Sequence, residues 1–180
     1  NIHILYDSSN TLNLSQQNIN DDQCESIAKS LEHFIKQQKL KEESSLAAIS
    51  RQQQNIDINS LHHNVQEQIH LTNHIAITSI DLSHNPISMK GLKYILPVIS
   101  SSYSSINSIN LSNISLISND HSIIELSSLL SCNITSINLA NNNLNNQEDD
   151  DFFKTLLTSR HNLSLTSIDL RGNKLSGLRI

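Results

Sequence analysis

His62, His63, His70 and His74 crowd one stretch of the chain, and His70 with His74 has the spacing that puts two imidazoles on one helical face. That is how a helix presents a pair of zinc ligands. A zinc site also needs outer partners that orient those ligands, and nothing rigid surrounds them here, so the stretch reads as a polar, low-complexity tract. Glu148, Asp149, Asp150 and Asp151 form the other cluster of ligand-type residues. They lack the spaced oxygens and the glycine turn of a calcium loop; ahead of Phe152 they suit the positive end of a helix dipole. Catalytic patterns are missing as well. The only glycines are Gly91, Gly172 and Gly177, so no phosphate-cradling loop or nucleophile elbow can be assembled. No catalytic residue, metal or cofactor is expected, and the chain does not read as an enzyme. Asn-x-Ser/Thr matches at Asn13, Asn110, Asn113, Asn133 and Asn162 are read as products of an Asn- and Ser-rich composition.

The bulk properties narrow the partner. A formal charge of −5 and a pI near 5.9 argue against nucleic acid and anionic membranes, both of which require a basic surface. Apolar residues make up 37% of the chain, nearly all of them Ile and Leu, with 3% aromatics and no Trp, which leaves little for ligand cages or base stacking. No apolar run is long enough to span a bilayer. Cys24 and Cys132 show no cysteine-rich framework, which suits a reducing compartment and a cytoplasmic location. At 180 residues a single domain is the default.

The elements that would position any site come from a repeated frame. Ile134, Ile137, Leu139, Asn142 and Leu144 set its slots; Ile77, Ile80, Leu82, Asn85 and Ile87 fill them, as do Leu165, Ile168, Leu170, Asn173 and Leu175. Ile106, Ile109, Leu111 and Leu116 match with Ile114 in the Asn slot, and Leu12, Leu14 and Ile19 make a degenerate first copy with Gln17 there. Leu82, Leu111, Leu139 and Leu170 follow one another at 29, 28 and 31 residues, whereas Leu14 to Leu82 is 68. The excess is read as a polar insertion over about 36–72, mostly looping outward with a helical stretch around Leu40 to Ile49. A helix is expected from Asn20 and Asp21 through Ile35, its apolar face at Cys24, Ile27, Ala28, Leu31, Phe34 and Ile35. Others are expected over Gly91 to Ile99, bent or ended near Pro97, after Asp120, and at Phe152 to Leu157. Ile2, Ile4 and Tyr6 read as the remnant of a preceding unit, and the chain as a piece of a longer protein.

These units resemble the leucine-rich repeat in its long variant of about 28 residues, as in ribonuclease inhibitor. The resemblance implies an α/β right-handed solenoid, a horseshoe segment with parallel strands on the concave side and helices on the convex side. Strand alternation agrees, turning Ile137 and Leu139 inward and Asn138 outward. Asn85, Asn142 and Asn173 are expected to form a structural ladder that satisfies backbone groups at the turns. Ile114 breaks it, so the turn after Leu111 should loosen or shift to use Asn113. The concave face is the binding surface the resemblance implies, and Asp81, Ser83, His84, Asn110, Asn138, Asp169 and Arg171 are its candidate contacts. The expected function is a protein–protein interaction scaffold, with a regulator of a small GTPase or of actin assembly as the alternative.

Overall fold

The computed structural model describes residues 5–6, 10–53, 76–102, 104–116, 126, 134–145 and 164–175. The histidine tract, the Glu148 to Asp151 cluster, Cys132 and the helices expected after Asp120 and at Phe152 lie outside these residues. Within them the chain is α/β. One sheet runs in the order β1 (Leu5–Tyr6), β2 (Thr11–Asn13), β3 (Ser79–Asp81), β4 (Ser108–Asn110), β5 (Ser136–Asn138) and β6 (Ser167–Asp169). From β2 to β6 every pairing is parallel and in register, so Leu12, Ile80, Ile109, Ile137 and Ile168 stand side by side. Each of these five parallel strands is three residues long, enough for one inward side chain flanked by two that face the other way. Strand β1 pairs antiparallel with β2, so it is not the parallel strand of a preceding unit.

Among the described residues two helices cover one side of the sheet: α1 (Asp21–Gln53) and α2 (Met89–Ile99). Helix α1 opens on a reciprocal cap, in which Asn20 N–H donates to Gln23 Oε1 (3.0 Å) and Gln23 N–H to Asn20 Oδ1 (3.2 Å). Of its expected face, Cys24, Ile27, Ala28, Leu31 and Ile35 are buried, while Phe34 packs at the margin and is half-buried. The helix then continues unbroken through residues 36–53, which takes in the helical stretch expected around Leu40 to Ile49 but leaves no loop before it. At about 1.5 Å per residue its 33 residues far outrun the 11 of α2. Leu40 and Leu46 on the extension are 58% and 63% exposed, so local propensity and ion pairs such as Lys39 with Glu43 (3.9 Å) support it, not burial.

Helix α2 runs two residues past Pro97 before Ser100 closes it. Its start is built by α1: Asp21 Oδ1 accepts from Ser88 N–H (2.8 Å) and Gly91 N–H (3.0 Å), while Ser88 Oγ donates to Asp21 Oδ2 (2.6 Å). Ser88 Oγ also accepts from Lys90 N–H (3.1 Å). Gly91 lets the helices meet this closely, because a Cβ there would stand 2.8 Å from Cys24 Sγ and 3.0 Å from Asp21 Cα. The core between helices and sheet is almost wholly Ile and Leu, with Leu82, Ile87, Leu92, Ile95, Leu111, Leu139 and Leu144 at 0% exposure. At the β6 edge the burial fades, and Ile168 is 36% exposed.

Candidate functional site

The turns that leave the strands hold most of the polar residues named from the sequence. Asn85, buried at 2% exposure, donates through Nδ2 to the carbonyls of Leu14, Leu82 and Ser83 (2.8, 2.9 and 3.1 Å) and accepts at Oδ1 from Gln17 and Ile19 N–H (3.1 and 2.9 Å). Asn142 repeats the pattern two units on, donating to Leu111, Leu139 and Ala140 and accepting from Ile114 N–H (3.1 Å). Asn173 donates to Leu139 and Leu170 and accepts from Leu144 N–H. Each amide thus ties its own turn to the preceding one. Asn85, Asn142 and Asn173 do form the expected ladder.

The turn after Leu111 is not the exception its sequence suggests. Ile114 is buried at 7% and its N–H is satisfied by Asn142 of the next unit. Asn113 does not replace the ladder residue: it has φ 54° and is exposed, with Nδ2 2.6 Å from His84 Nδ1. The register survives because the following amide reaches back to the turn.

A second ladder was not foreseen. Asp81, Asn110, Asn138 and Asp169, read as partner contacts, each accept at Oδ1 from the N–H two residues on: Ser83 (2.8 Å), Ser112 (3.1 Å), Ala140 (2.9 Å) and Arg171 (3.0 Å). Asn13 does the same with Ser15 (3.0 Å). Only Asp and Asn fill this column, which is the signature of a side chain closing a turn on its own backbone. Asn110 Nδ2 also donates to Asp81 Oδ2 (3.1 Å). Of the other candidates, Ser83 is 4% exposed and sits under the face rather than on it. His84 and Arg171 are exposed.

A third column shares one backbone conformation. Gln16, His84, Asn113, Asn141 and Gly172 have φ of 56°, 56°, 54°, 54° and 70°, the left-handed region where Asn, His and Gly are enriched. Their run of residue types was the available signal. Electrostatics are strongest at Asp169 and Arg171: Arg171 Nη2 donates to Asp169 Oδ2 (2.6 Å) and Nε to Oδ1 (3.0 Å). These guanidinium bonds, with the Arg171 backbone N–H, hold the Asp169 carboxyl down at about 2 and raise Arg171.

Chemically the face offers hydroxyls, amides and one exposed ion pair. Among the described residues no group of three His, Cys, Asp or Glu side chains is placed to hold a metal ion. Cys24 is free and buried, and desolvation, then the Asp21 charge, push its thiol up to about 12. On the helical side a groove of about 450 Å³ separates α1 from α2, with Ala28, Ile35, Pro97 and Val98 among its apolar lining and Tyr94 beside them. No helix among the described residues is long and apolar enough to cross a membrane. No protein-family model matches the chain, and no curated protein matches it.

Proposed function

We propose that the chain is a leucine-rich-repeat solenoid of the long-repeat type, right-handed, with its strands on the concave side, and that it acts as a scaffold binding another protein. The observation that carries this reading is the recurrence of one strand-and-turn unit: parallel register from β2 to β6, joined by the Asn85, Asn142 and Asn173 ladder. A stack so tied presets its surface before any partner arrives, which lowers the ordering cost of binding. The net charge of −5 favours a protein partner over nucleic acid or an anionic membrane. The free thiol of Cys24 suits action in the cytoplasm.

The surface proposed for binding is the outward strand face with the loops that follow it. Because Asp81 and Asp169 close turns through Oδ1, the informative variant keeps that oxygen. Asp81→Asn, Asp169→Asn and Arg171→Gln together remove the charges and leave an acceptor for each turn. Affinity capture compares this triple variant with the unaltered protein. Loss of a partner retained by the unaltered protein supports the reading; an unchanged set of partners sinks it.

A further inference from the structure

We infer that the groove between α1 and α2 is the interface of a two-fold homodimer, in which it meets the same groove of a second copy. Four charged side chains line it, Glu25, Lys29, Glu32 and Lys36. Within one chain they pair as Glu25 with Lys29 and Glu32 with Lys36, both at 2.7 Å and well exposed. Read along α1 the row is minus, plus, minus, plus, and reversing its direction inverts every sign. A two-fold axis midway between Lys29 and Glu32 therefore sets Glu25 opposite the partner's Lys36 and Lys29 opposite the partner's Glu32. Parallel alignment would face like charges with like. A surface complementary to itself only when antiparallel is what an isologous dimer requires.

The charges set orientation and register, since exposed ion pairs add little affinity. Attraction comes from Pro97 and Val98, the apolar lining residues still open to solvent over the buried Ala28 and Ile35. Tyr94 is 42% exposed, a large side chain left open beside an apolar groove. It lines the groove together with Lys29 and Glu32, the two residues that flank the axis. The centre of an interface, occupied by an aromatic side chain, is where binding energy concentrates. A patch this small gives a weak dimer. The strand face lies on the other side of the molecule, so dimerisation and the proposed partner binding stand or fall separately.

Sedimentation velocity of the whole chain, up to about 1 mM protein as a weak interface demands, reads the association. The unaltered protein is expected to shift from monomer to dimer over this range. Lys36→Glu puts a carboxylate against the partner's Glu25 and weakens the dimer at least about tenfold, as does Tyr94→Ser at the centre. The double variant Glu25→Lys with Lys36→Glu breaks both pairs within the helix yet restores the pairing between copies, so its association returns to within about twofold of the original. Circular dichroism checks that helix content is kept in each variant. A monomer at every concentration, unchanged association of Tyr94→Ser, or a double variant no better than Lys36→Glu overturns the dimer.

Discussion

Asn142→Ala removes three donated bonds and one accepted bond from a side chain that is 7% exposed. Leu139 O keeps its bond from Asn173 Nδ2 and Ala140 O its bond from Asn113 N–H, while Leu111 O and the Ile114 N–H lose the bond Asn142 gave them, so the expected cost is about 2–3 kcal/mol in urea denaturation. Asn141→Ala, one residue earlier, gives up only a favourable fit to φ 54° and should cost about 1 kcal/mol. Cys24 supplies a chemical test. With its thiol raised to about 12 by burial, it should resist alkylation at pH 8 in the folded protein and react at once in denaturant; a Cys132→Ser background leaves it as the sole reporter. At Asp169 the pKa is lowered, so the pairing contributes above the unfolded carboxyl value and is lost as pH falls through about 2. An NMR titration should follow that carboxyl at about 2, and Arg171→Gln should return it towards the ordinary Asp range.

At the scale of elements, the contact between α1 and α2 depends on an absent side chain. Gly91→Ala drives a methyl group into Asp21 and Cys24; part of the obstacle is Asp21 backbone, so the helices must separate, at a cost of about 1–3 kcal/mol. Leu46→Ser on the exposed extension should change stability by less than about 0.5 kcal/mol, and the same denaturation series measures both. The face of α1 up to Ile35 was legible because its apolar residues recur at helical spacing. Its continuation to Gln53 was harder to read, since polar residues with good helix propensity carry no periodic apolar signal. The cap that Asp21 gives to α2 was illegible for another reason: it joins residues 67 and 70 positions apart.

For the whole molecule, pairing on both sides should decide which strands open first. Strand β5 lies between β4 and β6, and Leu139 N–H donates to Asp169 O (2.8 Å). Among the described residues no strand lies beyond β6. Hydrogen exchange should therefore find the Leu139 amide more protected than that of Leu170, by a factor of about ten or more. Equal protection would mean that the sheet opens only as one unit.

The sequence by itself determined the Ile and Leu spine, the strand positions and the Asn85, Asn142 and Asn173 ladder, because each repeats at a fixed offset and repetition survives without coordinates. Tertiary structure alone decided the sense of β1, the burial of Ser83, the rescue of the Ile114 turn by Asn142 and the use of Asp81, Asn110, Asn138 and Asp169 as turn closures. In each case the outcome depends on which neighbour a polar group meets. An outward-facing Asp looks the same in sequence whether its oxygen is free for a partner or accepts an N–H two residues away; only the path of the backbone after the strand settles which.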